Sequence, residues 1–321
     1  MMDLNQYLDQ SAEQVDKLIY RYFGESCGEL ATASAHLLLA GGKRLRPILL
    51  ILSADAIRKG SSIDAIPAAL ALELTHSFTL IHDDIMDGDA VRRGVPTVHT
   101  RWDMPTAILA GDVLFASAFE FIAMADAPDN AKVRAISMLG RTCVQICEGQ
   151  HLDMSFETEE DVTEGQYLTM VEKKTGVLYA AAAGIGAILA GGNPAHTDAL
   201  YHFGRAIGMA FQIQDDIIDL FASPEVSGKD RASDLREGKK TLISIKARGK
   251  GFDLSAYRRD LSDTEVDEVI ARLESLGVIR EVRDTARDLI RNGKKRISIL
   301  PDSEEKQLLM DLADHFLVRS S

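Results

Sequence analysis

Phe78-Thr79-Leu80-Ile81-His82-Asp83-Asp84-Ile85-Met86-Asp87 sets three carboxylates at the end of an apolar run, and Phe211-Gln212-Ile213-Gln214-Asp215-Asp216-Ile217-Ile218-Asp219 repeats the pattern. On a helix, residues four apart share a face, so Asp83 and Asp87 point one way, as do Asp215 and Asp219. Like charges at that spacing repel, and apolar surroundings sharpen the repulsion. A solvated acidic face would not interrupt Ile, Leu and Phe in this manner. A hard divalent cation such as Mg2+ answers the conflict. It takes few protein carboxylates and shares its remaining positions with water and phosphate oxygens.

Around these two stretches the chain reads as helices. Its 321 residues contain 46% hydrophobic side chains, only 6% aromatics and 8 prolines, a profile that favours helix over sheet. A net charge of −13 argues against nucleic acid or an anionic membrane as partner. Cys27, Cys143 and Cys147 suggest no disulfide framework, and Cys143 and Cys147, four apart, read as small core residues. The N-terminus lacks a basic segment followed by an apolar one, and the apolar run 180–190 is too short to span a bilayer. A cytoplasmic protein without stable membrane insertion is expected.

Periodicity predicts helices over 3–23, 29–40, 47–58 and from about Ala68 through the first acidic motif, with Pro47 opening the third and 61–67 a loop. Residues 88–104 read as a non-helical connection. Helices return at about 105–125, 131–155, 163–173, 175–190 and 197–221, with Lys173-Lys174-Thr175-Gly176 joining two of them. Residues 223–238 read as a long polar loop, of the kind that is often functional. The charged helices after about 240 read as a solvated outer layer. No stretch alternates as a strand, and no linker divides the chain. The expectation is an all-α, single-domain helical bundle over 1–321.

Positive charge gathers at four places. Gly41-Gly42-Lys43-Arg44-Leu45-Arg46-Pro47 sets three cations ahead of a helix N-terminus, where backbone N–H groups already favour an anion. Arg92-Arg93-Gly94 closely follows Asp87. Lys173-Lys174-Thr175-Gly176 lies between helices, and Lys229 and Lys239-Lys240-Thr241 flank the loop after Asp219. Two of the four directly follow an acidic motif. Carboxylates holding metal beside cations holding phosphate describe a diphosphate site. His76, two turns before Asp83, shares its face and reads equally as a phosphate contact or a core residue. His82 faces away and reads as structural. Gln212 lies close enough to Asp215 and Asp216 to join the second site.

GGKRLRP (41–47), HDDIMD (82–87), RRG (92–94), PTVH (96–99), ILAGD (108–112), EGQHLDM (148–154), KKTG (173–176), FQIQDDIID (211–219) and SDLREGKKTL (233–242) occur in this order. Over about 40–245 the chain thereby resembles the trans-prenyl diphosphate synthases, most of all geranylgeranyl diphosphate synthases of the archaeal kind. The resemblance implies an isoprenoid-synthase bundle around a central cavity, a homodimer, and as ligands isopentenyl diphosphate, an allylic diphosphate and three Mg2+ ions. It implies that Lys43, Arg46 and His76 hold the diphosphate of isopentenyl diphosphate, assisted by Arg93. Arg92 would contact the allylic diphosphate. Asp83 and Asp87 would ligate two ions and Asp215 a third, supported by Asp84, Asp216 and Asp219. Lys174, Thr175, Gln212, Lys229 and Lys239 would complete the allylic pocket.

By the same resemblance Phe78, with Ser77 beside it, forms the floor that limits product length. Helical spacing puts Thr79 on the face of Asp83. An aromatic floor implies a short product, geranylgeranyl diphosphate in preference to farnesyl or a medium-length chain. A terpene cyclase and a non-catalytic synthase subunit are the rival readings. The second DDxxD, with the Lys43, Arg46 and His76 set, disfavours the former, and two intact acidic motifs disfavour the latter.

Overall fold

The computed structural model describes residues 3–25, 27–221 and 231–318. It is all-α apart from one small hairpin. The helices are α1 (Leu4–Phe23), α2 (Glu29–Leu39), α3 (Leu45–Ile57), α4 (Ser62–Asp87), α5 (Val98–Arg101), α6 (Met104–Ala123), α7 (Asp129–Phe156), α8 (Glu164–Val171), α9 (Val177–Leu189) and α10 (Pro194–Phe221). They are followed by α11 (Ser233–Glu237), α12 (Leu242–Gly249), α13 (Asp263–Ser275), α14 (Val278–Arg296) and α15 (Glu304–Val318). The residues group into two compact units. The first takes in Met1–Cys143, Leu178–Gly204 and Arg296–Asp311, the second Val144–Val177, Arg205–Lys295 and Leu312–Ser321.

In the first unit α4 packs along α6 and α3. Nearly every residue of α3 from Leu45 to Ala54 is buried except Arg46, which explains its unbroken apolar run. Residues 180–183 of α9 are all buried alanines. Their small side chains let backbones approach, and at Gly186 an added Cβ would lie 2.3 Å from the carbonyl oxygen of Leu50. α9 is therefore seated directly on α3.

Several expected boundaries are corrected here. α4 begins at Ser62 rather than near Ala68, with Pro67 inside it. The early start has a local cause: the Ser62 N–H donates to Asp55 Oδ1 at 2.8 Å and Ser61 Oγ to the Ala54 carbonyl at 2.8 Å, tying the turn to α3. α3 likewise starts before Pro47. Residues 88–104 are not wholly irregular. β1 (Val91–Arg92) and β2 (Val95–Pro96) pair antiparallel, and α5 follows. The turn residues Arg93 and Gly94 both have positive φ, the geometry of a two-residue hairpin turn that suits strand twist.

In the second unit Tyr167, Ile213, Val266, Leu273, Val282 and Phe316 are fully buried or nearly so. α14 buries Val278, Ile279, Val282, Ala286 and Ile290 along one face. Lys173-Lys174-Thr175-Gly176 is not a break: Glu172–Gly176 forms a π-helical turn continuous with its flanking helices. Of the expected loop over 223–238, residues 222–230, with Lys229, lie outside the described residues, and Ser233–Glu237 is helical. Asp219 organises that helix, since its Oδ1 accepts from Ser233 Oγ at 2.5 Å and its Oδ2 from the Asp234 N–H at 3.0 Å. Cys143 is buried, but Cys147 is exposed and is no core residue.

Candidate active site

The first acidic motif occupies the last turns of α4, which Gly88 closes in the left-handed conformation with its N–H on the Asp84 carbonyl. Asp84 is buried, Asp83 half-buried and Asp87 exposed. The hairpin folds Arg92 back onto the motif, where its Nε donates to Asp84 Oδ1 and its Nη2 to Asp89 Oδ2 at 3.0 Å. Burial raises the Asp84 carboxyl above the usual range, and Arg92 opposes that rise.

Further up α4, the structure gathers the basic residues around His76. Burial first, then the guanidinium groups of Arg46, Arg93, Arg92 and Arg44, hold His76 well below the usual imidazole range. A neutral imidazole among four cations is a setting that calls for an anion. The four arginines are not equivalent, however, and their division is invisible in the chain's local pattern. Arg44 is buried in the left-handed conformation, donating to Asp16 Oδ1 at 2.8 Å, Glu73 Oε1 at 2.5 Å and the Leu38 carbonyl at 2.7 Å. It ties α1, α2 and α4 together and is not available to a ligand, a correction to its reading as one of three anion-facing cations. Arg93 donates to the carbonyls of Leu37 at 2.9 Å and Gly41 at 2.5 Å, with Glu73 3.7 Å away. Arg46 lies with its Cζ 4.5 Å from the centre of the Tyr179 ring. Lys43 is exposed.

Phe78 packs edge-to-face on Phe115 at 5.2 Å and on His82 at 5.8 Å, and Phe115 continues to Phe119 at 5.2 Å. Phe78 is thus the first of three phenylalanines in a row between α4 and α6. Ser77 is fully buried beside it, and Thr79 Oγ1 donates to the His76 carbonyl at 2.7 Å. His82 lies against Ile108 and Gly111 of α6, a packing position, and an added Cβ on Gly111 would come 2.3 Å from the imidazole.

In the second unit, Lys174, Thr175, Gln212, Asp216 and Lys239 line one cavity of about 100 Å³. The EGQHLDM segment seats the π-helical turn: Lys173 Nζ donates to Glu148 at 2.7 Å and Lys174 Nζ to Asp153 at 2.5 Å. Between them an added Cβ on Gly149 would fall 2.3 Å from the Lys174 nitrogen, so the backbones touch. Thr175 Oγ1 donates to Gln212 Oε1 at 3.0 Å, and Gln212 Nε2 to Asp216 Oδ1 at 3.0 Å.

Asp216 is buried and its other oxygen accepts from Tyr167 Oη. Burial, with the Asp234 charge, pushes its carboxyl up to about 8 against those two hydrogen bonds. Asp234 is pushed up to about 6, by burial and by Asp219. Burial opposes the charge on Lys239, yet Asp234 and Glu237 hold the ammonium above its usual range. Tyr167 escaped the sequence reading because nothing in the chain's pattern separates it from a core tyrosine. Asp215 and Asp219 remain half-buried.

Each motif therefore turns its middle aspartate inward to protein donors. Among the described residues no three His, Cys, Asp or Glu side chains converge to hold a metal alone. In the first unit Asp83 and Asp87, and in the second Asp215, are hard oxygen donors, the chemistry that suits Mg2+ with substrate phosphate and water.

The polyprenyl synthetase family model matches residues 28–272. A geranylgeranyl diphosphate synthase of Methanosarcina mazei is 48% identical over 293 residues, covering 91% of this chain and 90% of the relative. A geranylfarnesyl diphosphate synthase of Natronomonas pharaonis is 47% identical over 307 residues, with 91% and 90% covered. The solved geranylgeranyl pyrophosphate synthetase of Geoglobus acetivorans superposes with a TM-score of 0.91 at 43% identity, covering 97% of this chain and 99% of that one. The chain belongs to the polyprenyl synthetase family and is a trans-prenyltransferase.

Proposed function

We propose that the chain condenses isopentenyl diphosphate with an allylic diphosphate to a short all-trans prenyl diphosphate, with geranylgeranyl diphosphate as the main product. The observation that carries this reading is the placement of Arg46, Arg93 and Arg92 around His76, on the same helix that ends in Asp83, Asp84 and Asp87. Anion and metal demands meet on one element. Lys43, Arg46 and His76 bind the isopentenyl diphosphate. Arg92 and, in the second unit, Lys174, Thr175, Gln212 and Lys239 serve the allylic diphosphate, together with Lys229.

The family uses Mg2+. We assign three ions, to Asp83, Asp87 and Asp215, with Asp84, Asp216 and Asp219 in support; when bound they draw charge onto the leaving diphosphate. The allylic C–O bond breaks and its electron pair stays with the diphosphate. The double bond of isopentenyl diphosphate then forms the new C–C bond at the allylic carbon. A proton leaves the adjoining carbon for the released diphosphate. Fixed cations stabilise the departing charge, and apolar side chains exclude the water that would quench the carbocation.

Phe78, with Ser77 beside it, forms the floor that ends elongation, and Phe115, exposed on its far side, backs that ring. The relative named for geranylfarnesyl diphosphate supports a second reading, one isoprene unit longer. α6 is the one helix among the described residues long and apolar enough by composition to cross a membrane. Its Ile108, Leu109, Val113 and Phe115 are exposed. We assign this face to a homodimer contact in a cytoplasmic enzyme. Incubating purified protein with labelled isopentenyl diphosphate, Mg2+ and each allylic primer tests the reading. Geranylgeranyl diphosphate, abolished by chelator, is expected. A longer product moves the floor, and no elongation with any primer overturns the activity.

A further inference from the structure

The four arginines around His76 differ in what holds them. Arg44 has three protein acceptors, Arg92 donates to two carboxylates, and Arg93 donates to two carbonyls. Arg46 has neither a hydrogen-bond acceptor nor an ion-pair partner among the described residues, and its Nε is buried without one. What it does have is an aromatic face. Its Cζ sits 4.5 Å from the centroid of Tyr179, whose side chain is fully buried.

A guanidinium held by carboxylates has its N–H donors engaged before a ligand arrives. A guanidinium held on a ring face is attracted through the ring quadrupole, and its in-plane donors stay available. We propose that Tyr179 is a positioning residue that holds Arg46 by its ring face, and thereby sets the affinity for the diphosphate of isopentenyl diphosphate. The inference rests on the reading of Arg46 as a ligand of that diphosphate.

The platform is rigid for reasons visible in the backbone. An added Cβ on Gly204 would lie 2.3 Å from the Tyr179 carbonyl oxygen, so α10 presses on α9 where the tyrosine begins. Two turns along α9, Gly186 makes the same kind of contact with Leu50, one turn beyond Arg46 on α3. The helices carrying ring and cation are thus fixed to each other by backbone contact, and neither partner must be ordered when substrate binds. Preorganisation of this kind appears in affinity for the ligand. It should leave the allylic substrate untouched, since Arg46 is assigned to the other diphosphate.

The test uses the full chain with Tyr179→Phe, Tyr179→Leu, Arg46→Gln and the Tyr179→Leu/Arg46→Gln double variant. KM for each substrate, kcat, calorimetric binding of isopentenyl diphosphate and the thermal midpoint are measured. Tyr179→Leu should raise KM and Kd for isopentenyl diphosphate about tenfold, with kcat and the allylic KM within about twofold. Tyr179→Phe, which keeps the face, should stay close to wild type. In the Arg46→Gln background Tyr179→Leu should add nothing.

Equal losses in the phenylalanine and leucine variants, or additive losses in the double variant, overturn the proposal. If Arg46→Gln leaves isopentenyl diphosphate binding unchanged, the assignment of Arg46 fails instead, and the proposal falls with it. Progressively fluorinated phenylalanines at position 179 weaken the quadrupole at nearly constant shape, which separates the effect from folding. Kd should climb with each fluorine, and a flat series overturns the ring-face role.

Discussion

Tyr167 Oη lies 2.5 Å from Asp216 Oδ2, so a fully buried tyrosine on α8 donates to the middle carboxylate of the second acidic motif on α10. In the first motif the middle carboxylate, Asp84, is held by Arg92. The helix explains the parallel. The first and last aspartates of D-D-x-x-D share a face, whereas the middle one is rotated about 100° from the first and turns into the protein. Each middle aspartate then anchors its helix by a buried hydrogen bond to a protein donor.

Removing the Tyr167 donor tests that division. Tyr167→Phe keeps the ring and leaves buried Asp216 with Gln212 alone, at a cost of about 1–3 kcal/mol. The thermal midpoint should fall, and the Mg2+ concentration for half-maximal activity should rise as Asp215 loses its rigid neighbour. A variant with wild-type midpoint and Mg2+ dependence would show the hydrogen bond to be incidental.

The burial of His76 predicts a pH dependence. Below the ordinary imidazole pKa of about 6.5, the unfolded chain takes up a proton that folded His76 refuses. The unfolded state then binds more protons, so this contribution to stability falls as pH drops through that value and is flat above it. Urea unfolding between about pH 7.5 and about pH 5 should show a smaller loss in His76→Gln than in wild type. Inorganic diphosphate should raise the imidazole pKa seen by NMR, because a bound anion offsets the arginines. A His76 resonance that titrates normally in the free protein refutes the assignment.

These features differ in how far the sequence announced them. Asp83 and Asp215 were legible because carboxylates in apolar helices contradict their surroundings, and the contradiction is local. The division among Arg44, Arg46, Arg92 and Arg93 was not legible, since it depends on Glu73, Asp16 and Tyr179, which approach only through tertiary packing. The π-helical turn at 172–176 looks like a junction in the sequence for a related reason. Lys173-Lys174-Thr175-Gly176 carries a turn-like composition, but Glu148, Gly149 and Asp153 hold it within a helix. Helix starts failed where a side chain from another helix acts as the cap, as Asp55 does for Ser62.

Product length should respond to the aromatic row in order. Phe78→Ala opens the floor nearest the motif and should lengthen the product by at least one isoprene unit. Adding Phe115→Ala should extend it further, because Phe115 is the next ring in line. Phe78→Ala also removes a buried ring at a cost of about 3–5 kcal/mol, so chain length is read beside a thermal midpoint. An unchanged product distribution in a folded double variant would place the limit elsewhere.

Gly149→Ala gives the sharpest contrast with local propensity. Alanine is the better helix former by about 1 kcal/mol, and on that ground alone the change should stabilise α7. The packing says otherwise. The new methyl would sit 2.3 Å from the Lys174 nitrogen and 2.7 Å from the Lys173 carbonyl carbon, backbone atoms that no rotamer change can move aside. The π-helical turn must shift, and with it Lys174 and Thr175. Gly140→Ala on the same helix is the control, since its methyl would meet only Phe119 at 3.9 Å and should stabilise by up to about 1 kcal/mol. The expected result is a lowered midpoint and a large fall in kcat for Gly149→Ala, with neither in Gly140→Ala. Equal behaviour of the two would mean that the contact between α7 and the turn yields freely, and that the EGQHLDM segment does not fix the lysine.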